Sequence, residues 1–294
     1  MKESAQATRQ HNERLLRRAT YASVLVAVTL IALKATVWFM SGSVSLLASL
    51  MDSLMDAGAS LINLIAVAYA LTPADKGHRY GHGKAEALAG LAQSAFIAAS
   101  AMLVLYQGID HLRNPRPLDA AWHGVAVMLV SIIATLLLLR FQMHVIRRTG
   151  STAIRADALH YRSDLLMNGA VIVALVLAYY GITGADALFG IAIALLIAFS
   201  ALQIGRDAVN ILMDHELPDE VRKEALALAR AVPGVVDVHD LRTRQSGQQW
   251  FMQLHLELPG DLPLSAAHEL GEEVRRAIEQ RFIQADVLVH KDPV

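Results

Sequence analysis

A membrane domain of six helices followed by a small α+β domain is the architecture that the distribution of apolar and charged residues predicts. The chain has 294 residues, of which 54% are hydrophobic and 18% are charged, with a mean hydropathy of +0.39. This composition is too apolar for an ordinary soluble protein of this length. From about residue 208 onwards the apolar runs shorten and the charge rises. We therefore expect a membrane domain over residues 1–207 and a soluble domain over residues 208–294.

Six apolar segments are long enough to cross the hydrocarbon core of a bilayer, which is about 30 Å thick and takes about 20 helical residues. They are predicted at 21–40, 44–71, 85–108, 121–141, 159–180 and 185–204. An even number of spans places both termini on one side of the membrane. Basic residues are concentrated before the first span, between the second and third, and between the fourth and fifth. These segments and both termini are therefore expected in the cytoplasm.

Two features of the first span bear on how it inserts. The chain is polar through Arg18 and lacks the apolar region and cleavage site of a signal peptide. The first span is therefore expected to act as its own insertion signal. Lys34 lies about two turns from the outer end of this span, and its ammonium group is expected to extend toward the membrane surface.

The C-terminal segment has the pattern of a small two-layer α+β domain. The predicted elements are a helix at 218–231, strands at 236–243 and 249–258, a helix at 265–282 and a strand at 286–292. In the second strand, apolar residues from Trp250 to Leu258 alternate with those of the opposite face. Ser265 is predicted to cap the second helix. The order αββαβ predicts one compact domain on the cytoplasmic side.

Composition restricts the chemistry of any metal site. The chain has no cysteine, so it forms no disulfide bond and no thiolate metal site. Its 12 histidines and its carboxylates are then the only strong metal ligands available. The formal net charge of −1 gives no indication of nucleic-acid binding.

Acidic residues and a histidine lie deep in two of the predicted spans. Asp52 and Asp56 are four residues apart in the second span, and each faces the same side of its helix. His160 and Asp164 have the same spacing in the fifth span. An aspartate at the bilayer centre costs about 2.5–3.5 kcal/mol on insertion scales, and a bound cation would offset that cost. Arg162 points to a different side of its helix from His160 and Asp164.

Four oxygen and nitrogen ligands of this kind suit a tetrahedral Zn(II) ion. Fe(II), Cd(II), Co(II) and Mn(II) remain open, because the order of affinities does not decide which metal is carried. The histidine is the discriminating ligand, since an aspartate in its place would favour harder ions. The alternative is that these side chains lie at the interface or cap helices, without a joint role.

These pairs, together with the loop His78-Arg-Tyr-Gly-His82-Gly-Lys84-Ala-Glu86, resemble the motifs of the cation diffusion facilitators. The resemblance is greatest to the bacterial YiiP-like branch, also called ferrous-iron efflux pumps, and it extends from about Thr20 to Val294. It implies a homodimer in the bacterial inner membrane, six spans, a ferredoxin-like cytoplasmic domain and exchange of zinc for protons. The long histidine-rich loop of many eukaryotic zinc transporters is missing, with only His144 in that region.

Asp75, His78 and His82 lie between the second and third spans, and their spacing allows three ligands to converge on one ion. From spacing alone, a solvated loop whose glycines make turns is an equal alternative. The resemblance favours a metal site, and three ligands imply a weak and exchangeable one. Lys84 and Asp214 look solvated from the sequence alone, whereas the resemblance implies a charged pair at a dimer interface near the membrane surface.

Four histidines and one aspartate stand out in the soluble domain: His239, His255, His268, His290 and Asp292. The last two share a strand face. As isolated residues they are typical of a protein surface. The resemblance implies a binuclear zinc site, with the aspartate between the metals and a structural role in bracing the dimer.

The sequence as a whole predicts a secondary active transporter that exports a divalent transition metal, most of all Zn(II), in exchange for protons. Protons compete with metal for the carboxylates and the histidine, which provides the coupling. An intramembrane metalloenzyme is the first alternative, but it would need an open coordination position and no His-Glu-x-x-His motif is present. A membrane-anchored metal sensor would not need intramembrane ligands. A passive channel would require weak binding.

Overall fold

The structure is a computed structural model that describes residues 2–41, 44–113, 122–179 and 185–294. Two compact units divide the chain. One combines Arg14–Tyr69 with Ala85–Val209, and we call it the membrane unit. The other combines Met1–Glu13, Ala70–Lys84 and Asn210–Val294, and we call it the C-terminal unit. The segment Ala70–Lys84 thus belongs with the C-terminal unit, although it lies between two membrane helices in the sequence.

Six long helices make up most of the chain before residue 213. Their bounds are α1 Lys2–Ser41, α2 Val44–Ala70, α3 Lys84–Arg113, α4 Trp122–Thr149, α5 Thr152–Tyr179 and α6 Ala185–Leu212. Among the described residues, four stretches are long and apolar enough to cross a membrane, namely Gln10–Met40, Lys84–Arg113, Val127–Thr149 and Ala187–Leu212. The apolar stretch described in α2 is shorter, and α5 carries several charged residues in its first half. Four spans are therefore clear, and the count of six stays a prediction.

The junction between α4 and α5 explains why helices and apolar spans have different bounds. Hydropathy ends the fourth span at 141 and begins the fifth at 159, whereas the helices continue to Thr149 and begin at Thr152. Gly150 has a φ of 65°, a left-handed conformation that glycine adopts readily, and it ends α4. The N–H of Ile154 donates to the Ser151 hydroxyl at 3.1 Å, which caps α5. Backbone hydrogen bonds therefore extend both helices beyond their apolar stretches.

Small side chains allow α3, α5 and α6 to pack closely in the membrane unit. Their shared buried cluster consists of Ile97, Ala101, Ala156, Leu159, Ile197, Ala201 and Ile204. A Cβ atom at Gly108 would lie 2.8 Å from Cγ1 of Ile191, so a larger residue on α3 would push α6 away. Close approach through small residues is typical of helices packed within membranes. This packing holds α5, which carries two of the predicted metal ligands.

The C-terminal unit contains two helices and a three-stranded sheet. Its elements are α7 Asp219–Arg230, β1 Asp237–Ser246, β2 Gln249–Leu258, α8 Leu264–Arg281 and β3 Ala285–Pro293. The order αββαβ is the predicted one. Strand β2 is central, with β1 antiparallel on one side and β3 parallel on the other. The parallel pair requires a crossover connection, which α8 provides.

One face of β2 forms the core of this unit. Met252, Leu254 and Leu256 are buried, and they pack with Val274 and Ile278 of α8. The predicted capping role of Ser265 is wrong. Helix α8 begins at residue 264, with a proline at its N-cap and no side-chain capping hydrogen bond, so the serine lies inside the first turn.

The segment Ala70–Lys84 packs on the hairpin formed by β1 and β2. The ring of Tyr80 lies edge-on to Phe251, with 5.3 Å between centroids. The guanidinium carbon of Arg244 lies 4.3 Å from the Tyr80 centroid, a cation–π contact. A Cβ atom at Gly83 would lie 2.5 Å from the carbonyl oxygen of Ser246. The segment is therefore attached to the hairpin by ring contacts and by direct backbone approach.

We expect Gly83→Ala to destabilise the C-terminal unit by about 1–3 kcal/mol, because hairpin backbone atoms must move to admit the methyl group. Gly77→Ala is the matched control in the same segment, since its Cβ would meet only a carboxylate oxygen of Asp75 at 3.5 Å. Thermal unfolding of the full chain compares the two variants, followed by tryptophan fluorescence in a background in which Trp38 and Trp122 are replaced by phenylalanine, so that Trp250 in β2 is the reporter. Equal unfolding temperatures would contradict the close packing at Gly83.

Candidate metal centres

The membrane unit brings together Asp56 on α2 with His160 and Asp164 on α5. Their donor atoms all lie within 4.8 Å of one another. Oδ1 of Asp56 is 2.8 Å from Nε2 of His160, and Oδ2 of Asp164 is 3.8 Å from the same nitrogen. The side chain of Asp52, the fourth predicted ligand, lies outside the part of the chain that the structure describes. Three of the four predicted ligands therefore converge on one point.

This cluster lies at the edge of a cavity of about 560 Å³ between the helices. Besides the three donor residues, the lining includes the hydroxyl side chains of Ser53, Ser100, Ser131, Thr135 and Ser163. His160 itself is only 9% exposed. The cavity lining thus combines these polar groups with apolar side chains of the surrounding helices.

Lys34 on α1 lines the same cavity. Its ammonium group donates to the hydroxyl of Ser53 at 2.6 Å, and Ser53 lies one turn before Asp56 on α2. The expectation that Lys34 extends toward the membrane surface is therefore wrong. Sequence position determines how far Lys34 lies from the helix end, but it does not determine which neighbouring helix the side chain faces.

Asp157 is a buried acid that sequence reasoning did not single out. It lies three residues before His160 on α5 and is fully buried. Its carboxylate accepts hydrogen bonds from side chains of neighbouring helices, including Ser23 at 2.6 Å and Gln142 at 2.7 Å. The sequence did contain a signal for this residue. An additional acid three residues before a predicted ligand is as unfavourable to bury in a membrane as the predicted ligands are.

The loop triad Asp75, His78 and His82 is also assembled, within the C-terminal unit. Its donor atoms lie within 4.8 Å of one another. Nε2 of His82 is 3.1 Å from Nδ1 of His78, and each histidine nitrogen is 3.5 Å from an oxygen of Asp75. The other ring nitrogen of His82 lies 3.3 Å from the carbonyl oxygen of Thr72, which orients the ring.

Backbone geometry prepares the acid of this triad. The N–H groups of His78 and Gly77 donate to Oδ1 of Asp75 at 2.6 and 2.8 Å. The hydrogen bond from His78, supported by the one from Gly77, holds the pKa of Asp75 below its usual range. The carboxylate is therefore ionised at neutral pH, as a metal ligand must be.

A second set of donors forms a row across the sheet of the C-terminal unit. His239 of β1 lies opposite His255 of β2, and His255 lies opposite His290 of β3. Ring centroids are 5.3 Å apart in the first pair and 4.7 Å in the second. A register irregularity follows His239, where Asp240 has a φ of 47°. This bulge re-aims the strand beside the row.

Asp292 contacts every histidine of the row. Its Oδ2 lies 2.8 Å from Nδ1 of His255 and 3.6 Å from Nε2 of His239, while its Oδ1 lies 3.1 Å from Nε2 of His290. The hydrogen bond from His255 is the main reason that the pKa of Asp292 is lowered. One carboxylate oxygen thus faces two histidines and the other oxygen faces the third.

The remaining predicted residue of this set is placed elsewhere. His268 lies on α8, is exposed, and does not join the grouped donor atoms of this chain. Two acids that the sequence did not indicate lie beside the row instead. Oε1 of Glu257 is 3.3 Å from Nδ1 of His239, and Oδ2 of Asp240 is 3.8 Å from Nε2 of His255. Strand alternation could have indicated Glu257, because it shares the face of His255.

Lys84 and Asp214 form an ion pair inside the C-terminal unit. Nζ of Lys84 lies 2.9 Å from Oδ1 of Asp214 and donates to the carbonyl oxygen of Leu212 at 3.2 Å. Arg244 lies 3.7 Å from the other oxygen of Asp214. Both partners are more than a third exposed, so the pair contributes little to stability by itself.

A helical membrane protein with carboxylates and an imidazole converging beside a cavity has the features of a metal-cation transporter. Residues 20–213 match the cation efflux transmembrane domain, and residues 217–294 match the cation efflux protein cytoplasmic domain. The chain belongs to this family, the cation diffusion facilitators, as its motifs predicted. Its members are transporters and not enzymes. In bacteria they are multi-pass proteins of the inner membrane, and the dimerisation domain implies a homodimer.

Two FieF relatives support the assignment over nearly the whole chain. Cation-efflux pump FieF of Klebsiella pneumoniae is 50% identical over 280 residues, which cover 95% of this chain and 93% of the relative. Cation-efflux pump FieF of Yersinia enterocolitica has the same identity and coverage. A solved structure of CzrB in its zinc form is 34% identical, covers 27% of this chain and 92% of that chain, and has a TM-score of 0.26.

We expect Zn(II) to raise the unfolding temperature of the full chain and His255→Ala to remove most of that increase. His255 lies at the centre of the row, and zinc at about 100 times its Kd stabilises a folded site by about 2.7 kcal/mol. His215→Ala is the matched control, because His215 is exposed in the same unit and outside the row. Differential scanning fluorimetry with zinc and with a chelator measures the effect. An equal zinc response in parent and His255→Ala would contradict a metal site at the row.

Proposed function

We propose that this chain exports a divalent transition metal, most of all Zn(II), from the cytoplasm in exchange for protons. The observation that carries the proposal is the convergence of Asp56, His160 and Asp164 at a cavity between apolar helices. We assign Asp52 as the fourth ligand, because it lies one turn from Asp56 on the same helix. The named activity of the FieF relatives, cation efflux, supports the direction of transport.

The donor set favours zinc among the divalent metals. Three carboxylates and one imidazole supply the oxygen and nitrogen ligands that tetrahedral Zn(II) accepts. A bound dication offsets the unfavourable burial of these acids within the membrane. Fe(II) and Cd(II) are further substrates that the same ligands accept, and their relative transport depends on geometry and availability.

Proton exchange follows from the chemistry of the same donors. Metal binding requires ionised carboxylates and a neutral histidine, so protons and metal compete for one site. If the cavity opens alternately to the two sides of the membrane, metal loads from the cytoplasm and protons displace it on the outside. The inward proton gradient then drives export.

The proposed topology has six spans with both termini in the cytoplasm. Helices α2 and α5 are counted as spans because they carry the transport ligands, although neither is among the four spans that the described residues make clear. The basic residues at the N-terminus, in the segment after α2 and at the end of α4 support the cytoplasmic orientation. Residues 208–294 then form the cytoplasmic part of each protomer in the lipid-embedded homodimer.

The two remaining donor clusters are proposed to bind zinc in different roles. Asp75, His78 and His82 form an exchangeable site, since three protein ligands leave a coordination position open. His239, His255, His290 and Asp292 form a structural binuclear site, in which Asp292 supplies one oxygen to each metal. His268 is assigned to the same site by resemblance. Lys84 and Asp214 are assigned to the dimer interface on the same ground.

Asp56→Ala should abolish zinc transport, because it removes the donor closest to His160. The measurement is zinc flux into proteoliposomes with an imposed pH gradient. Dimer elution and zinc-dependent thermal stabilisation should be retained, since the C-terminal clusters are intact. Asp207→Ala, which removes a half-exposed acid of α6 outside the cavity lining, should transport at the parental rate. Parental flux in Asp56→Ala would refute the transport site.

His160→Asp should change the selectivity of transport. Imidazole suits zinc and carboxylates suit Mn(II), so we expect the ratio of Mn(II) to Zn(II) flux to rise by about tenfold or more. His144→Asp is the matched control, because His144 is an exposed histidine of α4 outside the described clusters. Competition between the two metals in one vesicle preparation gives the ratio directly. An unchanged ratio in His160→Asp would show that the imidazole does not select the metal.

A further inference from the structure

Asp157 is the acceptor of a hydrogen-bond network that joins five helices. Its carboxylate is fully buried on α5. The four donors, each from a different helix, are Ser23 of α1 at 2.6 Å, Ser60 of α2 at 3.5 Å, Gln93 of α3 at 3.4 Å and Gln142 of α4 at 2.7 Å. All four donors are neutral. A carboxylate in such a place is tolerated because its oxygens are hydrogen-bonded, and losing these bonds would be strongly unfavourable.

The donors are also joined to one another. The amide of Gln142 donates to the hydroxyl of Ser23 at 3.0 Å. The hydroxyl of Tyr161 donates to the carbonyl oxygen of Ser23 at 3.1 Å and accepts from the hydroxyl of Ser60 at 3.1 Å. Ser60 therefore shares its one proton between Tyr161 and Asp157. Asp157 and Tyr161 are four residues apart on one face of α5. The network therefore attaches this face of α5 to α1 and α2 at two successive turns.

The position of the network relative to the proposed transport ligands gives it a consequence for metal binding. Ser60 lies one turn after Asp56 on α2, and Tyr161 directly follows His160 on α5. The contact between Ser60 and Tyr161 and the contact between Asp56 and His160 thus join the same two helices, one turn apart on α2 and at adjacent residues on α5. A shift of α5 by one residue would move His160 by about 1.5 Å along the helix axis.

We propose that Asp157 is a positioning residue that sets the register of α5 against α2, and thereby the spacing of Asp56, His160 and Asp164. This inference rests on the proposed transport site. It requires no contact between Asp157 and the metal. The carboxylate gathers donors from four helices, so α5 has one axial position in which all of them are satisfied. The transport ligands meet at that position.

Replacing Asp157, the shared acceptor of the network, should raise the KM for zinc transport without changing the pH midpoint of transport. Asp157→Ala leaves four donors without their shared acceptor, so we expect an increase in KM of about tenfold or more. Asp157→Asn should raise KM by only about threefold, because the amide of Gln142 can rotate and offer its oxygen. Among the described residues that oxygen has no hydrogen-bond partner. Flux into proteoliposomes over a range of zinc concentrations and pH values measures both quantities.

Asp207→Ala is the control, since it removes the α6 partner of Arg155 and leaves the Asp157 network intact, and Arg155 lies near the start of α5. A partly exposed ion pair contributes little, so its KM should stay within about twofold of the parent. If Asp157→Ala does not assemble as a dimer, Ser23→Ala takes its place. It removes one donor and should raise KM by about threefold.

Several results would overturn the inference. A KM within about twofold of the parent in Asp157→Ala, or an unchanged KM in Ser23→Ala, would exclude positioning on the scale that a lost hydrogen bond implies. A shifted pH midpoint with an unchanged KM in Asp157→Asn would assign the carboxylate to proton transfer instead. If any of these results is obtained while Asp56→Ala is inactive, the inference about Asp157 is overturned and the transport site stands. Parental flux in Asp56→Ala overturns the transport site and this inference together.

Discussion

An ionisable group inside the bilayer must have partners, and this constraint organises the membrane unit. The protein meets it in two ways on a single helix. Asp157 is surrounded by neutral donors from four helices and is fully buried. Asp56 and Asp164 instead lie with His160 at the edge of a cavity. The first arrangement is satisfied by the protein alone, so we infer that it is permanent. The second leaves room for a cation, so we infer that its occupant is exchanged.

The same constraint bears on α5, whose charged residues lie in the first half of a helix that is continuous from Thr152 to Tyr179. In our proposal these residues include a positioning acid and two transport ligands. Its neighbours α3 and α6 carry no such groups in their central turns, and they are among the four clear spans. Ionisable residues within one helix of a membrane bundle are therefore an indication of function, provided that neighbouring helices supply the partners.

The sequence predicted what depends on periodicity within one element, and it missed what depends on the rotation and depth of one element against another. The pairing of His160 with Asp164 and the outward face of His255 follow from helix and strand periods. The inward orientation of Lys34 and the donors of Asp157 depend on neighbouring helices, which no period describes. The depth of the ligands, counted along each helix from its outer end, was also misleading. Counted at about 1.5 Å per residue, Asp56 lies about 18 Å from the start of α2, and His160 about 28 Å from the end of α5. The two side chains nevertheless meet at 2.8 Å, so the two helix ends are staggered.

Three clusters of the same two residue types differ mainly in their access to water, and this difference assigns their roles in our proposal. Asp75 and Asp292 are solvated acids whose pKa values are lowered by hydrogen bonds, from backbone N–H groups and from His255 respectively. Both carboxylates are ionised at neutral pH, so protons compete only weakly with a metal for these two ligands. A transport site needs the opposite property, because protons must displace its cargo. The membrane cluster is instead enclosed by helices, with His160 buried. Proton competition is therefore expected to be strongest where transport requires it.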